Sequence, residues 1–79
     1  MSLITENPPR VGDIYTHYKG GNYIIRGGAL LEADPTVVMV IYQEIQYGSD
    51  IDMIWCRPLT EFMGLIIHNG EIVNRFKKQ

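Results

Sequence analysis

The chain reads as an all-β domain: a small SH3-like barrel of five to six strands with one short helical turn before the last hairpin. Three observations predict it. Short runs of β-branched and aromatic residues alternate at period two or are apolar on both faces. Gly, Pro, Asn and Asp punctuate those runs at close intervals. Helical spacing shows in one short stretch only, Pro58 to Gly64, so a βαβ architecture is excluded. Small all-β domains manage their exposed edges by curling closed. An OB-fold is the runner-up, but its longer helix has no place here.

The elements follow in order. Residues 1–10 read as a flexible N-terminal tail, because Pro8-Pro9 resists helix and central strand alike. A single domain then spans 11–77. Val11 to Tyr18 alternates, with Ile14, Thr16 and Tyr18 on one face and Tyr15 and His17 on the other. Lys19-Gly-Gly-Asn22 is a turn, and Tyr23 to Arg26 resumes as the second strand of a hairpin. Gly27-Gly28 inside that strand predicts a bulge or a sharp bend. Glu32-Ala-Asp-Pro35 is a second turn. Thr36 to Gln46 is the strongest strand, apolar on both faces from Val37 to Ile41 and more polar after Tyr42. Tyr47 to Asp50 is a loop.

Met53 to Arg57 is another strand. Met53, Trp55 and Arg57 share one face; Ile54 and Cys56 share the other, where Cys56 is expected in the core, as free Cys commonly is. Leu59, Phe62 and Met63 then stand at i, i+3 and i+4, with Pro58 first and Gly64 last, which predicts a helix of one or two turns, short enough to be 3₁₀. Asn69-Gly70 between apolar runs predicts a type I′ hairpin ending near Phe76. The final Lys-Lys-Gln is expected to fray.

Seventy-nine residues make one domain with a small core. Cores of this size often gain from disulfides, metals or oligomerisation. The single cysteine excludes an internal disulfide, and two scattered His with one Cys give no metal set. A homodimer is therefore the expected route to more buried surface. No apolar run approaches a membrane span, and no secretory signal is present, so the expected location is cytoplasmic. The net charge of −2 argues against a generic nucleic-acid binder. The bases cluster early and at the C-terminus, a split that allows one basic patch.

The chemistry-bearing residues concentrate in two stretches, Tyr15 to Tyr23 and Trp55 to Phe62. Trp55 is the only Trp, and Arg57 lies two positions on, on the same strand face. An aromatic face beside a guanidinium can hold a base, a nucleotide or another planar anion. His17 and Lys19 add a donor and a charge. His17, Lys19, Trp55 and Arg57 are thus the candidate ligand-binding residues. The plainer alternative for Trp55, Tyr23 and Phe62 is the core itself. Arg57 either caps the strand–helix junction through Glu61 or reaches into a pocket. Catalytic groupings are weak. Cys56, Ser2 and Ser49 lack a base nearby in sequence, and Asp50 and Asp52 read as solvated loop residues.

The same words carry a family resemblance. His17-Tyr-Lys-Gly20 with Tyr23, then Val40-Ile-Tyr42, Tyr47-Gly48, Trp55-Cys-Arg-Pro-Leu59 with Phe62, and Gly70-Glu-Ile-Val-Asn-Arg-Phe76 resemble the bacterial and phage family called domain of unknown function 1653. The likeness covers about residues 8 to 77. It implies a compact β-domain of SH3-like type and assigns no activity. Two departures stand out. Leu31-Glu-Ala-Asp34 replaces a His-Ser-Glu-Thr-like segment, so a role resting on that His does not carry over, and the stretch from Gly48 to Ile54 is slightly longer.

The expected function is a small non-catalytic binding module for an anionic or aromatic, nucleotide-like small molecule or a peptide. The alternatives are a structural or protein-interaction domain acting as a homo-oligomer, and single-stranded nucleic-acid binding. No cofactor, metal or membrane partner is expected.

Overall fold

A computed structural model of the chain describes residues 8–45 and 54–79. The expected loop at Tyr47 to Asp50, Met53 at the head of its strand, and most of the expected tail lie outside the described residues. The elements are β1 (Ile14–His17), β2 (Asn22–Leu31), β3 (Asp34–Glu44), β4 (Ile54–Pro58), α1 (Leu59–Phe62), β5 (Leu65–His68), β6 (Glu71–Asn74) and β7 (Phe76–Lys78). Five strands form one antiparallel sheet in the order β4-β3-β2-β1-β7, and β5 pairs with β6 alone.

The all-β class is therefore right, but the closed barrel is not, and the described residues hold seven strands rather than five or six. The sheet is open, with β4 and β7 at its two edges. The reason lies in the chain between them. Asn69 and Gly70 both take positive φ, 52° and 78°, as the expected type I′ turn requires. That turn pairs β5 with β6, and their outer edges pair with neither β4 nor β7, so among the described residues the hairpin does not bridge the two edges of the sheet.

Local chemistry explains the other elements. β1 is shorter than the alternation from Val11 predicts, because Arg10 to Asp13 forms a turn. The Asp13 N–H donates to the Arg10 carbonyl, and the Arg10 N–H to the Asp13 carboxylate. The β1–β2 connection uses Gly20 and Gly21, both at positive φ. Arg26 is the extra residue between the Ile25–Tyr42 and Gly27–Ile41 pairs, a bulge one position before the glycines that predict it. The second turn tightens to Glu32-Ala33, and β3 begins at Asp34. Pro35 is tolerated there because the register slips between Leu30 and Leu31, so its missing N–H costs no ladder bond. Asp34 Oδ1 instead accepts from the Thr36 hydroxyl at 2.6 Å and the Thr36 N–H at 3.2 Å.

The C-terminus departs from expectation most usefully. Lys77 and Lys78 do not fray. They pair with Thr16 and Tyr15 as part of β7, and the Gln79 N–H donates to the Ile14 carbonyl. Gln79 Nε2 also donates to the Thr16 hydroxyl and the Asn22 side-chain carbonyl. Phe76 anchors the strand: its ring is buried, and burying it holds the polar residues after it in register.

Register places one set of side chains on a single sheet face. The facing pairs are Tyr15 with Tyr23, His17 with Phe76, Ile25 with Tyr42, Tyr42 with Trp55, and Val40 with Arg57. Tyr15, Ile25, Val40, Tyr42 and Phe76 are buried there, and α1 lays Phe62 on them with no surface exposed. Phe62 stacks on Phe76 at 4.2 Å between centroids and meets Tyr15 and Tyr42 edge-on at 5.1 and 5.3 Å. Such pairs each add about 0.5–1.5 kcal/mol beyond area burial.

Candidate functional site

The aromatic face continues past the helix. Tyr42 passes the chain of rings to Tyr23 at 5.5 Å, and Phe76 passes it to His17 at 4.9 Å. Neither Tyr23 nor His17 lies under α1; both are half-buried. Beyond them, on edge strand β4, stand Trp55 and Arg57. Together these side chains enclose a cup of about 140 Å³ lined by His17, Tyr23, Tyr42, Trp55, Arg57 and Phe76.

Three of the four candidate residues thus meet in one recess. Trp55 is 47% exposed although it lies on the core face of the sheet. Arg57 Nη1 lies 3.4 Å from Glu61 Oε1, one turn into α1, and also faces the cup. Arg57 therefore braces the strand–helix junction, as one reading of it has it, and is also among the residues that line the recess. The pair is solvent-facing, so it contributes about 0–1 kcal/mol and leaves Arg57 able to exchange partners. Arg75 reinforces the junction by donating from Nε to the Glu61 carbonyl at 3.2 Å.

Lys19 does not join them. Its ammonium lies 5.7 Å from the Tyr18 ring centroid, a cation–π contact outside the cup. Its backbone matters more, because its N–H donates to His17 Nδ1 at 3.1 Å. With Nδ1 accepting, the neutral ring carries its proton on Nε2 and is a donor there. Burial lowers the His17 pKa, and the positive charges of Arg57, Arg75 and Lys19 lower it further, in that order. His17 is a neutral hydrogen-bond donor at neutral pH. Tyr23 keeps its phenolic proton more firmly than usual, through burial first and then the Glu44 carboxylate and Tyr42. The cup therefore offers a half-open indole face, a guanidinium, and neutral donors.

Cys56 corrects the sequence reading. It is exposed, not core. The alternation along β4 is as expected, but period two does not say which face is inside; the Trp55–Arg57 face packs toward Val40 and Tyr42, and Cys56 points away. The sequence reading also omits Tyr23, which it offers as core, and Tyr42 and Phe76 from the site. Tyr42 faces Trp55 only through strand pairing, and Phe76 arrives from β7, so no local motif signals either.

Among the described residues no group of three or more His, Cys, Asp or Glu is placed to hold a metal ion. Nor is any described helix long and apolar enough to cross a membrane.

Fold and recess together define a small antiparallel β-domain with an aromatic core that opens at one edge into a cation-rimmed cup. The family model described as "Protein of unknown function (DUF1653)" matches residues 13–78, and the chain belongs to that family. No curated protein and no solved structure matches the chain.

Proposed function

We propose that this protein is a non-catalytic binding module on an SH3-like plan, and that its ligand places a planar or anionic group in the cup. The observation that carries this reading is Trp55, half-exposed on the core face beside Arg57 and His17. A Trp side chain buries roughly 150–250 Å² when covered. Leaving half of that in water forgoes on the order of 2–3 kcal/mol. A ligand that covers the indole recovers that term and exchanges the solvent-facing Glu61 contact of Arg57 for a charge-assisted hydrogen bond. The cup is smaller than the roughly 300–1,000 Å³ of drug-sized sites, so it suits one ring or one anionic group of a nucleotide-like molecule or a peptide. Binding rather than catalysis fits the side chains in it: His17 has Nδ1 engaged, and the thiol of Cys56 lies on the other face of β4.

Thermal-shift screening of nucleotides, inorganic anions and aromatic peptides tests the proposal. A stabilising ligand whose effect disappears in Arg57→Ala supports it. No stabilisation by any of the three classes removes it.

A second reading, self-association, is favoured by the β5–β6 hairpin. Leu65, Ile67 and Ile72 share one face, and all three are exposed. A second copy of the chain is the partner that fits, because a two-fold axis sets the same aliphatic triad against itself. Light scattering at rising concentration decides: a doubled mass that Ile67→Lys abolishes supports it, and a monomer throughout rejects it.

A further inference from the structure

We propose a second binding site, separate from the cup, in the groove between the β1–β7 edge of the sheet and the β5–β6 hairpin, and that it takes a small planar organic anion. The groove encloses about 400 Å³, within the range of small-molecule sites and larger than the cup. His17 lines both recesses, so its ring is the wall between them.

The lining sets the ligand chemistry. Tyr18 and His68 meet edge-on at 5.2 Å and leave ring surface toward the groove, and Val73 adds an apolar side chain. Those groups suit a flat ring. The charge comes from β7. Lys77 lines the groove and, among the described residues, has no ion-pair partner, whereas its neighbour Lys78 lies 3.8 Å from the Asp13 carboxylate. Asn74 also lines the groove, although the β5–β6 register turns its side chain to the Leu65 face of the hairpin, away from His68 and Val73. No Asp or Glu lines the groove itself; Glu71, paired with His68, stands on the same hairpin face at its rim. Lys19 over the outer side of this cluster adds positive potential. A lysine without an ion-pair partner beside aromatic walls, with no acid in the lining itself, selects an aromatic carboxylate or phosphate ester over a neutral ring.

The site exists because the C-terminus docks. Thr16 faces Lys77 across the β1–β7 pair, and Gln79 fixes Thr16 through its hydroxyl. A frayed tail would leave the groove without its cation.

Phenyl phosphate, titrated into the full-length protein and followed by amide chemical shifts, tests the proposal. Saturable shifts at Tyr18, Asn74 and Lys77 are expected. Lys77→Ala should weaken that binding at least fivefold, and Lys77→Arg should restore most of it. Phenol should bind at least tenfold more weakly than phenyl phosphate. Arg57→Ala, which disables the cup, should leave the groove affinity unchanged, so the two sites fail or stand separately. Shifts that do not saturate, shifts confined to Trp55 and Arg57, an unaltered affinity in Lys77→Ala, or equal binding of phenol would each overturn it.

Discussion

The two halves of the aromatic face are built alike and end differently. Around Phe62 the rings of Tyr15, Tyr42 and Phe76 are sealed by α1 and leave no surface on Phe62 itself. Around Trp55 the same sheet face carries Tyr23, Tyr42 and Phe76 again, yet no element described here covers it, and the indole stays half in water. Helix length makes the difference. α1 is four residues long, about one turn, and covers the strands nearest Phe62 only. Where the cover stops, an aromatic core becomes an aromatic recess, and Arg57 stands at the boundary braced against Glu61.

The sharpest way to break the comparison is to cut the sealed half. Phe62→Ala should cost about 3–5 kcal/mol, as a large buried ring does. The whole domain is expected to hold on the order of 4–12 kcal/mol. Urea denaturation should therefore show the variant close to unfolding in water. Trp55→Ala should cost about 2–3 kcal/mol, for the half of the indole that is covered, less than Phe62→Ala, and should remove ligand response. If the two variants melt alike, Trp55 is core and the distinction fails.

A smaller effect sharpens the boundary. Glu61→Gln should alter stability by at most about 1 kcal/mol while raising affinity for an anion severalfold, because Arg57 loses its competing carboxylate. Calorimetric titration reads both the affinity and its salt dependence. An unchanged affinity would mean that Arg57 only braces the junction.

The smallest effect is in pH. The folded protein holds the His17 proton less firmly than the ordinary value of 6.5. Below that value the unfolded chain binds more protons than the folded one, so stability falls as pH drops from 6.5 toward the lowered folded value. Above 6.5 the contribution is complete. Protonation would also set a positive ring against the Lys19 N–H and the Arg57 guanidinium. His17→Gln should flatten this part of the pH–stability profile; a profile of the same slope would assign it to other groups.

Much of this was legible in the residues, and the failures have physical reasons. The turns at Lys19-Gly-Gly-Asn22 and Asn69-Gly70 could be placed because positive φ leaves few residue choices. The bulge beside Gly27 and the helical turn after Pro58 followed from local geometry too, although that turn is α rather than the expected 3₁₀, because the Met63 N–H donates back four residues to the Leu59 carbonyl. Closure of the barrel was not legible, because it depends on whether the outer edges of the β5–β6 hairpin pair with β4 and β7, which no local pattern records. The docking of Lys77-Lys78-Gln79 depends on Thr16 and Asn22, about sixty residues away. Cys56 was misplaced since alternation fixes two faces without naming the inner one. In the candidate site, His17, Trp55 and Arg57 were found by chemical type, but Lys19 was carried along by proximity in sequence, and its ammonium turns to Tyr18 instead.

Trp55 is the only Trp in the chain, so its emission reports on the cup alone. Adenosine monophosphate titrated against that emission tests the open half most directly. The account predicts a saturable change in intensity or wavelength that Arg57→Ala weakens at least tenfold and Lys77→Ala leaves in place. An emission already blue-shifted as in a buried indole, and unmoved by the nucleotide, would contradict it.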